Sequence, residues 1–139
     1  MIVTELTVGR WRSLTPTQTA LATMVSAGDI GCSWCMDFGV WEHLNQGVDP
    51  VKLREVPNWR ESAVYTDAER RVMEYASAMT QSPPTVTDEM VSRLQAELSE
   101  AQVVELTALI ALENQRSRFN FAMGLTSQGF KASCDLADR

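Results

Sequence analysis

The chain has 139 residues, of which 45% are apolar and 22% are charged. This length is sufficient to bury one hydrophobic core but is too short for two ordinary domains. Twelve basic against eighteen acidic residues give a net charge of −6, which excludes the basic footprint of a nucleic-acid-binding protein. The most apolar stretch, 103–112, contains Glu105 and is too short for a membrane span of about 20 residues. We expect one soluble domain over residues 1–139, and a cytoplasmic one because no signal-type apolar segment opens the chain.

Helices account for most of the predicted structure, since apolar residues recur at intervals of three and four. Residues 1–8 alternate only weakly, and we expect no more than an extended arm there. The start signals are N-cap residues, first-turn prolines and capping boxes, at Thr15-Pro16, Cys32, Asp49-Pro50, Thr66 to Glu69, Thr87 and Ser99 to Gln102. The first helix is predicted over 16–27 and the last over 100–124.

The first half of the last predicted helix is apolar on several sides. Its apolar residues on adjoining stripes are Val103, Val104, Leu106, Ala108, Ile110, Ala111 and Leu112. A small all-helical domain has few neighbours to cover such a helix, so we expect a homo-oligomer. Beyond Gly129 we expect a short helix or a frayed end.

Cys32 and Cys35 form the motif with an evident chemistry. They lie where a helix is predicted to begin, and free backbone amides and the helix dipole lower the pKa of a thiol at such a position. Their spacing places both sulfurs on one helix face, where they can close a disulfide. Such a pair suits one thiol that attacks an oxidant or a mixed disulfide and another that resolves the product.

The same cysteine spacing also occurs in inert pairs, in zinc sites and in thioredoxin-like redox sites. Two buried, inert cysteines on an apolar face would have the same spacing. A zinc site needs four ligands, and the available Cys32, Cys35, Cys134 and His43 are not two closely spaced pairs. The thioredoxin fold needs strands that this sequence does not provide. We therefore expect no metal and no other cofactor, and we take Cys134 as incidental.

Four segments carry a further signal in their order along the chain. They are Gly31-Cys-Ser-Trp-Cys35, Tyr65 to Thr80, Val86-Thr-Asp-Glu89, and Glu105 to Leu125 with Asn114, Arg118 and Asn120 in the pattern Asn-x-x-x-Arg-x-Asn-x-Ala-x-Gly. Together they resemble the carboxymuconolactone decarboxylase family, in its AhpD-like alkylhydroperoxidase branch. The resemblance covers about residues 15–126 and leaves 127–139 as a C-terminal tail. It implies an all-α, AhpD-like, oligomeric fold.

The resemblance also implies an activity, the thiol-dependent reduction of a peroxide or of a partner disulfide. It assigns Cys35 as the attacking thiol and Cys32 as the resolving one, with a thiol reductant protein as a candidate partner. The relay histidine of the family falls on Gly39 here, and its relay glutamate falls on Ala20 or the neighbouring Gln18 and Thr19. Both proton-handling groups are missing, so we expect weakened peroxidase activity.

Three ionisable residues that follow Cys35 are candidate accessory groups. His43 shares a helix face with Cys35 but lies about 12 Å further along the axis, and we favour a surface or interface histidine. Asp37 and Glu42 are nearer in sequence, and for both we favour a solvated position on the helix.

The same predicted helix carries three aromatic residues, Trp34, Phe38 and Trp41. They could wall an apolar pocket, although we favour a place in the core. Gly39 between them lowers helix propensity, so we expect something bulky to pack against it, such as Trp11, Trp59 or a ligand.

Asn114 and Arg118 share a face of the last predicted helix, and we expect them to tie it to its neighbours or to another subunit. Two other functions remain alternatives to thiol redox chemistry. One is a lactone decarboxylase, against which the intact cysteine pair counts. The other is a non-catalytic family member that lost its proton relay.

Overall fold

The computed structural model describes residues 2–132. Its helices are α1 (Ile2–Val8), α2 (Pro16–Ile30), α3 (Ser33–Asn45), α4 (Pro50–Glu55), α5 (Asp67–Thr80), α6 (Asp88–Gln95) and α7 (Glu100–Ala122), and a 3₁₀ turn at Val56–Asn58 follows α4. The described residues contain no strand, and the fold is all-α as predicted. The extended arm expected at 1–8 is wrong. The segment is helical from Ile2, and this helix packs against α7.

The predicted capping residues begin the helices. Thr15, Thr66 and Ser99 each accept the backbone N–H three residues later, and the Gln or Glu at that position bonds back to the cap amide. The first predicted helix was ended too early, since α2 continues through Gly28 and stops only at Gly31, whose φ of 83° is left-handed. The last helix ends at Ala122, slightly before the predicted 124.

The core is organised around α2, which packs against α3, α5 and α7. Leu21, Met24 and Val25 of α2 are buried together with Met73 of α5 and Ile110 of α7. Such burial of whole aliphatic side chains stabilises the fold by about 1.5–3 kcal/mol each.

The helix α7 is buried on more than one side, as predicted, since Leu112 is buried as well as Leu106 and Ile110, and one strip of the helix is exposed. Leu106 and Ile110 are fully buried, whereas Val104 is 54% exposed and Ala111 is exposed. Beside Ile110, α7 is bound to the end of α5, where Asn114 Nδ2 donates to Thr80 Oγ1 at 2.9 Å and Arg118 Nη2 donates to the Thr80 carbonyl at 2.9 Å. Between residues 2 and 132, no helix combines the length and apolarity that crossing a membrane requires.

Candidate functional site

The turn between α2 and α3 places the two cysteines. The left-handed Gly31 permits the backbone N–H groups of Gly31 and Cys32 both to bond to the Ala27 carbonyl at 3.0 Å. Cys32 thereby becomes the N-cap of α3, and its Sγ accepts the Cys35 N–H at 3.2 Å. The two sulfurs are joined in a disulfide, with Cα atoms 5.3 Å apart.

The two cysteines differ in access. Cys32 is fully buried, whereas Cys35 is 9% exposed and lines a cavity of about 280 Å³ between α2, α3 and α7. The Asn120 side chain from α7 also lines this cavity, and its Nδ2 lies 3.5 Å from Cys35 Sγ as a hydrogen-bond donor. A small molecule in the cavity would therefore meet Cys35 and not Cys32.

The cavity is elongated along α3. At one end Asn120 contacts Cys35, and two helical turns away Thr23 Oγ1 lies 3.1 Å from His43 Nε2. Glu113 of α7 also lines the cavity and interacts with the Glu42 charge, so it belongs to this second end, about 12 Å along the α3 axis from Cys35. The cavity thus joins a thiol end to a polar end.

His43 belongs to the polar end, and the surface or interface position that we favoured is wrong. It is 5% exposed, with Nε2 facing Thr23 and Nδ1 3.1 Å from Gln46 Oε1. Burial lowers the pKa of His43 below 6.5, against the opposing effects of the Gln46 hydrogen bond and the Glu42 charge. The neutral imidazole is favoured because α2 packs over this face of α3.

Two carboxyl groups lie at the same end. Glu42 is half-buried and lines the cavity wall. Glu113 is buried, and it accepts from Ser117 Oγ at 2.6 Å and from Arg116 Nη2 at 2.8 Å. Burial raises the pKa of Glu113 above 4.5, despite the attraction of the Arg116 guanidinium.

Glu113, Arg116 and Thr23 were not among the predicted site residues, and Asn120 was predicted only as part of a family pattern. A signal was present, since 113, 116 and 120 recur at three and four on an apolar helix and so mark a polar stripe. What that stripe faces depends on helix packing.

Gly39 lines the cavity beside Cys35, and Met24 packs against it. A Cβ built on Gly39 would stand 2.5 Å from Met24 Sδ, so the expected neighbours Trp11 and Trp59 are wrong. Ala20, where the family relay glutamate would lie, is fully buried in the core. The ionisable groups that line the cavity are instead His43, Glu42, Glu113 and Arg116.

Asp37 is not among the residues that line the cavity, and it holds the segment 127–131, so the solvated position that we favoured for it is wrong. Its buried carboxylate accepts from five donors, which are Ser127 Oγ and the backbone N–H groups of Gln128, Gly129, Phe130 and Lys131. Burial opposes ionisation, but these hydrogen bonds outweigh it and lower the pKa of Asp37 to about 2. The carboxylate is a structural anchor for a bound loop and not an accessory group for the thiol.

The aromatic residues of α3 form a cluster with Phe130 of that loop. Trp34 stacks on Phe38 with ring centroids 5.0 Å apart, and Phe130 meets both rings edge-on. Trp34 and Phe38 line the cavity, whereas Trp41 packs on Phe38 and Phe130 outside the lining and is 36% exposed. The core position that we favoured is therefore wrong for Trp41.

Across the described residues, no three His, Cys, Asp or Glu side chains are grouped so as to hold a metal ion. Cys134 lies outside the described residues.

The sequence model of the carboxymuconolactone decarboxylase family matches residues 3–78 of this chain. Among curated proteins, the uncharacterized protein YnjA from Escherichia coli (strain K12) is 40% identical over 98 residues. That match covers 70% of this chain and 54% of YnjA, so the chain spans about half the length of this relative.

Solved structures share the fold at low sequence identity. The apo debrominase Bmp8 superposes with a TM-score of 0.80 at 23% identity, over 93% of this chain and 70% of that one. A cysteine-to-alanine variant of Bmp8 in complex with 2,3,4-tribromopyrrole gives 0.83 at 22%, over 96% and 72%. A protein of unknown function from Agrobacterium tumefaciens, named as a candidate AhpD antioxidant defence protein, gives 0.83 at 24%, over 91% and 86%.

Proposed function

Because this chain belongs to the carboxymuconolactone decarboxylase family, we propose that its Cys32–Cys35 pair is a thiol-disulfide redox site that reduces a peroxide. The observation that carries the proposal is the access of Cys35 to the cavity while its partner Cys32 is fully buried. An attacking thiol must be reachable and a resolving thiol need only reach its neighbour.

The reaction balances with these two thiols and one reductant. The Cys35 thiolate attacks a peroxide oxygen, the O–O bond breaks, and the leaving oxygen takes a proton and departs as an alcohol or water. Cys35 is then a sulfenic acid, which Cys32 converts to the disulfide with release of water. A thiol reductant returns two electrons and two protons.

Regeneration also suits the geometry at the start of α3. A reductant thiolate that attacks Cys35 Sγ releases Cys32 as a thiolate. The Cys35 N–H already donates to Cys32 Sγ at 3.2 Å at this helix N-cap, where a negative charge is stabilised. Because Cys35 is reached through a cavity of about 280 Å³, we favour a peroxide over the disulfide of a folded partner as the oxidant, and for the same reason a small thiol over a folded protein as the reductant.

Proton supply limits the expected rate. Gly39 and Ala20 stand where the family relay groups would lie, and His43 lies about two helical turns from Cys35 along α3. Glu113 interacts with Glu42, the residue before His43. A proton from either would have to travel through water in the cavity, because direct general-acid catalysis needs contact within about 3.2 Å. We therefore propose slow turnover.

Free-thiol counts before and after one equivalent of peroxide test the proposal, in a Cys134→Ser background that leaves two thiols. We expect both thiols to be lost from the parent, with a loss of two hydrogens on the peptide that holds Cys32 and Cys35. The Cys32→Ser variant should lose its thiol to sulfenic acid, and the Cys35→Ser variant should keep its thiol. Peroxide consumption by Cys35→Ser at the parental rate would contradict the assignment.

A second candidate is reductive dehalogenation of a small aromatic ring. It is favoured by the position of Trp34 and Phe38 in the wall of the Cys35 cavity. Balance requires that two thiols become a disulfide while an aryl bromide becomes the arene, bromide ion and a proton. Incubation of the reduced protein with 2,3,4-tribromopyrrole should release one bromide per disulfide if this activity is present, and no bromide if it is absent.

A further inference from the structure

The cavity in front of Cys35 has the size of a site for an organic molecule. Its volume is about 280 Å³. A water molecule occupies about 30 Å³, and an engineered cavity of about 150 Å³ already binds benzene. Hydrogen peroxide would fill only a small part of the space, whereas a substituted ring would fill most of it.

The side chains that wall the cavity favour a ligand whose ring is apolar. Trp34 and Phe38 lie one turn apart on α3 and are held by Phe130 on their other side. Leu109 of α7 and Met24 of α2 also line the cavity. A flat apolar group between these side chains gains contact area that hydrogen peroxide lacks.

The cavity lining carries more negative than positive charge. Arg116 is its one cationic lining residue among those described, and it is already paired with Glu113 at 2.8 Å. Glu42 makes no ion pair within the part of the chain that the structure describes. An entering anion would meet the Glu42 carboxylate, and the positive charge of Arg116 is already offset by Glu113.

We propose that this cavity selects uncharged aromatic or apolar organic substrates and rejects anionic ones, with Glu42 and the Glu113–Arg116 pair as the selecting groups. The inference rests on the proposed function for its reacting atom, Cys35. For peroxide reduction, the substrate class is an uncharged aromatic hydroperoxide, whose O–O bond is cleaved with the balance given above.

Alkylation of Cys35 tests the charge selection without any peroxide. In a Cys32→Ser, Cys134→Ser protein, the rates with iodoacetamide and iodoacetate, which are of similar size, are each divided by the rate for the same protein unfolded in urea. We expect the normalised rate with iodoacetamide to exceed the normalised rate with iodoacetate by about tenfold, because a cleft lined by negative charge repels an anionic reagent. Equal normalised rates, or a preference for iodoacetate, would overturn the proposal.

A matched pair of variants separates the effect of the cavity on the alkylation preference from the effect of the protein's net charge of −6. Glu42→Gln should reduce the preference about threefold or more, because the unpaired carboxylate is removed. Glu61→Gln makes the same change at an exposed position outside the cavity lining and should leave the preference unchanged. Equal effects of the two variants would assign the selectivity to the whole surface and refute the role of Glu42.

Substrate turnover tests the size selection in the unmodified protein. We expect kcat/KM to be higher for cumene hydroperoxide than for hydrogen peroxide and than for a cumene hydroperoxide that carries a ring carboxylate. Hydrogen peroxide or the carboxylate as the preferred substrate would overturn the proposed class. If the protein consumes no peroxide, the proposed function fails, while the alkylation preference still decides the charge selection by itself.

Discussion

The Oδ2 atom of Asp37 accepts the backbone N–H of Gly129 at 2.7 Å, although the two residues are far apart in the chain. Neighbouring donors of the same loop complete the shell of this carboxylate. The loop carries Phe130, which packs on the two aromatic residues that wall the Cys35 cavity. One buried carboxylate on α3 thus anchors the loop whose Phe130 packs on two wall residues of the cavity.

Replacing this carboxylate should loosen the loop. We expect Asp37→Asn to lower the free energy of unfolding by about 2 kcal/mol, because hydrogen bonds to a charged acceptor are lost and an amide group faces the donors. Hydrogen exchange at 128–131 should speed up more than exchange in α2. Glu61→Gln serves as the control, since it makes the same chemical change at an exposed site. Unchanged exchange in the loop would contradict the anchoring role.

The pKa of Asp37 also predicts an acid limit. Because its folded pKa of about 2 lies below the ordinary value of 3.8, the carboxylate contributes stability that is complete above pH 4 and is lost as the pH falls toward 2. Unfolding measured in urea between pH 5 and 2.5 should show this loss in the parent protein and less of it in Asp37→Asn.

The contact between Gly39 and Met24 predicts a coupled pair. Gly39→Ala should destabilise by about 1–3 kcal/mol, because the new Cβ would stand 2.5 Å from Met24 Sδ. In a Met24→Ala background the same change should cost less, and the difference measures the coupling. Gly39→His, which restores the relay position of the family, should destabilise further for the same reason. Additive effects of Gly39→Ala and Met24→Ala on thermal melting would argue against this account.

Asn120 should control the acidity of the attacking thiol. Its amide donates toward Cys35 Sγ at 3.5 Å, so Asn120→Asp replaces a donor with a negative charge and should raise the pKa of the thiol by about one unit. The pH dependence of iodoacetamide alkylation, in the protein that retains only Cys35, measures this pKa. Asn114→Asp lies on the same helix but contacts Thr80, and it should leave the thiol pKa unchanged.

His43 predicts a second pH dependence. Its folded pKa is lowered by burial, so the unfolded chain binds more protons below pH 6.5, and stability should fall as the pH drops below that value. The raised pKa of Glu113 acts in the opposite direction, since its protonated form favours the folded state. His43→Gln should remove the loss of stability between pH 6.5 and 5.5, whereas Glu113→Gln should make it steeper. A loss that persists in His43→Gln would assign it to another group.

Self-association is expected from the end of α7. Large apolar side chains are exposed there and in the following turn, namely Phe119 (52%), Phe121 (59%), Met123 (65%) and Leu125 (44%). We expect an oligomer with closed symmetry in sedimentation at micromolar concentration, and a lower mass for Phe119→Glu. Val51→Glu changes an exposed valine on α4 and should leave the mass unchanged. A parent protein that sediments as a monomer would remove the inference.

The local features of this protein could be predicted from its sequence. Thr15, Thr66 and Ser99 fix helix starts because their capping bonds lie within three residues. The positions of Cys32 and Cys35 at the start of α3 follow from the same short range, since one turn of helix brings the two residues together. The pattern of residues along the chain was also sufficient to indicate the family and its all-α fold.

The tertiary structure alone decided which helix faces meet. Periodicity places His43 on the same face as Cys35, but its burial depends on Thr23 from α2. Periodicity also places Glu113 and Asn120 on one stripe of α7, but it does not predict that this stripe faces the thiol. Asp37 is an anchor only because a loop from the other end of the chain folds over α3. Such contacts join segments far apart in sequence, and their pairing is set by the packing of whole helices, which no local pattern contains.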